Sequence, residues 1–84
     1  MDVEIGNLYA VHHGDYAGQM FALINKEEQG YNFLIMPSME NLFVSNEDFI
    51  NGYEKEIIKL VEKAPEEVFE VIKAQYEKNE NINY

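Results

Sequence analysis

The chain has 84 residues, sixteen of them Asp or Glu against six Lys and no Arg, for a formal net charge of −10 at pH 7. Binding to nucleic acid draws on Lys and Arg to displace counterions from phosphates, so this balance disfavours a nucleic-acid partner and favours a basic protein surface. With 46% apolar residues the chain is too hydrophobic for a disordered acidic tail, and without Cys it has neither a disulfide framework nor a thiolate metal site.

A chain of this length with no long polar linker reads as one domain with a thin core, burying only ~60% of its unfolded surface. Met1-Asp2-Val3-Glu4 is acidic where a secretory signal is basic, and the apolar runs, such as 33–36, are far below membrane-spanning length. The expected location is the cytoplasm, with no membrane contact. Nine Asn, eight Ile and Lys in place of Arg fit an A+T-rich genome, bacterial or phage, and a phage product would work in the host cytoplasm.

Short apolar runs separated by Gly, Asn and acidic clusters predict antiparallel strands near 6–12, 19–25, 31–36 and 41–44. Lys26-Glu27-Glu28-Gln29-Gly30 has the length and terminal glycine of a hairpin loop, with Gly30 expected in the left-handed region. Pro37 has no amide to donate and ends the third strand. Ser45 then stands three residues before Asp48 and just ahead of Phe49 and Ile50, an N-cap for a short helical turn that Gly52 ends or kinks.

From Tyr53 onward, Ile57, Ile58, Leu60, Val61 and Ala64 recur at helical spacing, and Pro65 with Glu66 and Glu67 suits the first turn of a second helix carrying Val68, Ile72 and Tyr76 on one face. The expected fold class is therefore α+β: a small SH3-like antiparallel barrel or strongly bent sheet over 1–52, a helical hairpin over 53–80, and a fraying tail at 81–84. Lys55, Lys59 and Lys63 fall on one stripe of the predicted helix, a solvated face or a docking strip for an acidic partner.

Val11-His12-His13-Gly14-Asp15-Tyr16-Ala17-Gly18 resembles the KOW-type signature of small SH3-like barrels, in which a strand ends in a Gly-x-x-x-Gly turn and a second strand follows; Gly6-Asn7 stands where such barrels often open with Gly-Asp. The likeness covers about twenty residues. Two glycines permit positive φ and a tight protruding loop. The resemblance implies a barrel whose loop and neighbouring strands bind RNA or protein. Phe21 stands where the pattern usually has a further Gly, and the basic residues that family members use on RNA are absent. A fifth strand from the segment after Val44 would close the barrel, or the helices would cover its open side.

Adjacent His12 and His13 point to opposite faces of a strand, and one imidazole beside Asp15 makes at most part of a metal or acid-base site. Glu27-Glu28 solvates a turn, while Glu47-Asp48 and Glu66-Glu67 sit favourably at helix starts. With no nucleophile triad, phosphate loop or dinucleotide fingerprint, the expectation is a protein that is not an enzyme and holds neither metal nor cofactor. Tyr9, Tyr16, Tyr31, Phe33 and Phe43 cannot all point inward on alternating strands, whereas Met20, Met36 and Met39 read as core filler. Exposed Tyr beside carboxylates suits a protein interface, so the candidate partner-binding residues are Tyr9, His13, Asp15, Tyr16, Glu27, Glu28 and Tyr31.

Residues 1–52 hold eight acids and one Lys, a net of −7, whereas residues 53–84 hold eight acids and five Lys, a net of −3. The reading that follows is a small acidic interaction or regulatory module, of the phage accessory type, that binds a basic or nucleic-acid-associated protein. DNA mimicry is its sharper variant, a KOW-like nucleic-acid-binding barrel the alternative, and a monomer or weak homodimer the expected state.

Overall fold

The computed structural model describes residues 3–81. Apolar runs rich in Phe, Tyr, Ile and Val become strands β1 Asn7–Val11, β2 Met20–Glu27, β3 Gly30–Met36 and β4 Glu40–Ser45; helix α1 Asn46–Glu54, strand β5 Ile58–Lys63 and helix α2 Glu66–Glu80 follow. All strand pairs are antiparallel, and the five form one open sheet in the order β4-β3-β2-β1-β5, with β4 and β5 as its edges.

Both faces of this sheet are covered, which explains why its central strands are apolar almost continuously rather than at every second position. On one face Tyr9, Val11, Phe21, Leu23, Phe33, Ile35 and Ile58 pack with Phe49 of α1. On the other, Leu8, Ala22, Ile24 and Leu34 pack with Ala64 and with Ile72 of α2. Phe49 anchors the first layer, its ring stacked 5.8 Å from Phe33 and met edge-on by Tyr9 at 5.3 Å. Fully burying one such side chain contributes about 1.5–3 kcal/mol, so these few rings carry much of a small domain's stability. Leu8 and Val11 differ in parity because each serves a different layer, and β1 stays regular against β2.

Two bulges interrupt the ladders. Leu23 pairs with Phe33 and Asn25 with Asn32, leaving Ile24 as the extra residue in β2. Leu8 pairs with Glu62 and Tyr9 with Leu60, leaving Val61 unmatched in β5.

Several expectations are corrected. The predicted helical hairpin over 53–80 is a strand followed by a single helix, because β5 supplies the partner that β1 needs. Hydrogen bonds from His12 N–H to Ile57 O (2.8 Å) and from Ala64 N–H to Gly6 O (2.9 Å) flank that pairing. Ile57, Ile58, Leu60 and Val61 fit helical spacing, but three of the four are β-branched, and sheet pairing prevails. The division at residue 52 accordingly disappears, since the sheet takes strands from both sides of it. The Lys stripe dissolves as well: Lys55 is the C-cap of α1, and the bulge between Lys59 and Lys63 places those two on opposite faces of β5.

Gly30 does not adopt positive φ; it is extended, and a Cβ there would overlap the Val44 carbonyl oxygen and the Phe43 ring. Met39 is exposed at φ 62 rather than filling the core, while Met20 and Met36 pack against the α2 layer as expected. Ser45 caps α1 as read, its hydroxyl accepting from Asp48 N–H at 3.1 Å, but the helix continues through Gly52, which packs on Ile58. Of the fraying tail, positions 82–84 lie outside the described residues. Among the described residues no helix is long and apolar enough to cross a membrane.

Candidate protein-docking surface

One end of the sheet gathers four exposed acids from two separate segments. The β2–β3 hairpin turns at Glu28 and Gln29, and the β4–α1 junction lies directly beside it: Asn46 N–H donates to Gln29 O at 3.0 Å, and the Asn46 amide donates to Glu28 O at 2.9 Å. Glu27 pairs with Gly30, and Gly30 with Ser45, so the hairpin and the α1 N-cap form one ledge. Glu27, Glu28, Glu47 and Asp48 all lie exposed on it. Glu27 accepts from the Asn32 amide, and the two acids of α1 face the positive end of its dipole. Lys26, the single Lys of residues 1–52, donates its ammonium to Val3 O at 3.0 Å.

The other end carries the glycine loop. Gly14 (φ 91) and Gly18 (φ 87) hold it, with bonds from Ala17 N–H to Gly14 O (3.2 Å) and from Gly18 N–H to Val11 O (2.9 Å). A side chain at either glycine would meet open space, so the left-handed φ alone calls for glycine there. His13 and Asp15 are exposed on this loop, whereas Tyr16 is half-buried with its ring 5.6 Å from Phe21.

The predicted interface residues therefore do not form one patch. His13, Asp15 and Tyr16 precede β2, and Glu27, Glu28 and Tyr31 lie at its far end, about 23 Å away along an eight-residue strand. Tyr31 is half-buried, 4.8 Å from Phe49. Tyr9 is corrected outright: at 1% exposure it belongs to the core, with its hydroxyl accepting from the Asn7 amide at 3.0 Å. Burial pushes its pKa up, against the opposing effect of that hydrogen bond.

Residues that the sequence reading passed over complete the ledge. Glu47 and Asp48 were explained by the helix dipole alone, and Phe43 as one aromatic among several. On β4, Phe43 is 47% exposed and lies over Gly30. The run Leu42-Phe43-Val44, free of Lys and Pro and leading directly into an N-cap, is the signal that marks it. The far end of β4 is held by α2: the Asn41 amide donates to Tyr76 O at 3.1 Å, and the Asn79 amide to Met39 O at 2.8 Å and Asn41 Oδ1 at 2.9 Å.

Compared with known proteins, the chain matches no family model, no curated protein and no solved structure. Among the described residues, no three His, Asp or Glu side chains converge as metal ligands.

Proposed function

We propose that this chain is a small acidic protein-interaction module, of the phage accessory type, acting in the cytoplasm on a basic or nucleic-acid-associated protein. The observation that supports it is the ledge, where four exposed carboxylates share one end of the sheet and Lys26, the single Lys of residues 1–52, donates to Val3 O. Such a surface steers a cationic partner at long range, and its binding weakens with ionic strength. Affinity capture from a bacterial lysate at ~50 mM salt, where screening is weak, is the test. The wild-type chain is expected to retain basic proteins that the triple variant Glu27→Lys, Glu28→Lys, Glu47→Lys releases. Retention of nothing, or equal retention by both, would sink the reading. Competition of a captured protein against duplex DNA separates DNA mimicry from docking elsewhere on that protein.

A second reading, a KOW-like nucleic-acid-binding barrel, draws its support from the exposed loop between two positive-φ glycines. Titration with single-stranded RNA at low salt tests it, and an absence of amide shifts at Tyr16 and Gly18 would remove it.

A further inference from the structure

We infer that the free edge of β4 accepts an extended segment of the partner as a sixth strand, with apolar residues at the segment's centre and Lys or Arg where it passes the acidic ledge. The inference rests on the acidic-module reading and adds to it the mode of binding.

The backbone supplies the first argument. Asn46 and Gln29 lie directly opposite and are hydrogen-bonded, so the antiparallel alternation makes Val44, Leu42 and Glu40 the ladder-bonded residues of β4. Asn41 and Phe43 then direct their N–H and C=O groups outward and Ser45 its N–H, the Ser45 C=O being taken up by the first turn of α1, and among the described residues no other strand lies on that side. Three residues in alternation are the pattern that an added strand pairs with.

Side chains supply the second. Phe43 stands exposed on one face of the edge, and half-buried Leu42 and Val44 on the other, so an incoming apolar segment extends both core layers. Beside Ser45, Glu27, Glu28, Glu47 and Asp48 lie exposed, a field that suits flanking cations.

A second copy fits this edge poorly. A two-fold antiparallel pair centred on Phe43 sets Glu40 opposite Asn46 of the copy, next to its Glu47, and joins two chains of net charge −10. The β5 edge is a poorer acceptor still, with Val61 bulged and Lys59, Glu62 and Lys63 along it.

The test uses the full chain, ¹⁵N-labelled, at low salt. Its probe is a capped peptide of alternating Val and Thr with two Lys at each end. A second version carries Glu in place of Lys, and two more are N-methylated on alternate residues, one on each set. Saturation with the Lys peptide is expected to slow amide exchange at Asn41, Phe43 and Ser45 by about tenfold or more, with Leu42 and Val44 unchanged. One N-methylated set is expected to bind like the parent and the other about tenfold more weakly, while the Glu peptide does not bind. Phe43→Lys, checked for folding by its amide spectrum, is expected to weaken the Lys peptide about tenfold.

If the peptide binds but the three amides do not respond and both N-methylated sets bind alike, strand addition is overturned while acidic docking stands. If no peptide binds, both readings fall. Equal binding of the Glu peptide overturns the cationic part. A dimer whose Asn41, Phe43 and Ser45 amides are protected without peptide would make a second copy the occupant and overturn the inference.

Discussion

The β5 edge of the sheet presents Lys59, Glu62 and Lys63 around an unmatched Val61, whereas the β4 edge runs as a regular six-residue ladder with Leu42, Phe43 and Val44 at its middle. A bulge and charged side chains are the usual means of keeping a strand edge from pairing with other chains. This chain applies them on one side only. The unguarded edge is also anchored at both ends, since a close glycine contact and the α1 cap fix one end of β4 and the Asn41–Asn79 contacts with α2 fix the other. The contrast teaches that an open edge need not be a loose one: what makes β4 receptive is its outward backbone, held in register.

That contrast breaks first at Gly30. Gly30→Ala drives a methyl group into the Val44 carbonyl and the Phe43 ring, and is expected to cost about 3 kcal/mol in urea unfolding as β4 is pushed away from β3. A variant as stable as wild type would mean that β4 gives way easily. Ser45→Ala removes the hydroxyl that caps α1 at the end of the same strand, with an expected loss of about 1 kcal/mol. Peptide binding at the edge should survive it, because the outward N–H of Ser45 and both backbone groups of Asn41 and Phe43 remain.

The smallest effect reports on the latch at the other end of β4. Burial first, then the neighbouring Glu80, push the Tyr76 hydroxyl up to about 12. Its folded value lies above the unfolded value of about 10, so its contribution to stability is complete below about pH 10 and is lost as pH rises through about 12. Unfolding free energy is expected to stay level through neutral pH and decline across that alkaline window, and Tyr76→Phe to make the decline shallower. Burial raises the pKa of Tyr9 too, so part of the decline persists in that variant. A Tyr76→Phe profile identical to wild type would place the alkaline transition elsewhere.

The first four strands were legible because Gly, Pro and charged residues break the apolar runs near the turns, and Ser45 with Asp48 marked α1 because capping is a local interaction. β5 was not legible: a six-residue run with Ile58, Leu60 and Val61 as its apolar residues satisfies helical and strand periodicities alike, and only the unpaired side of β1 decides between them. The role of Gly30 was misread for the same reason, since its constraint comes from Val44 and Phe43, fourteen and thirteen residues away in sequence. Among the candidate residues, the acids of the hairpin were found by charge. Tyr9 was misplaced because a sheet covered on both faces buries positions that a one-sided sheet would expose.

By itself the sequence determined the excess of negative charge and its concentration in residues 1–52, the turns that delimit β1 to β4, the cap of α1 and the start of α2, all properties of composition or of neighbours a few residues apart. Only the tertiary structure decided which strand became an edge, which aromatic rings stayed outside, and that the acids of two separate segments meet on one ledge. Those outcomes depend on pairings between distant residues, whose gain in burial and hydrogen bonding outweighs local preference.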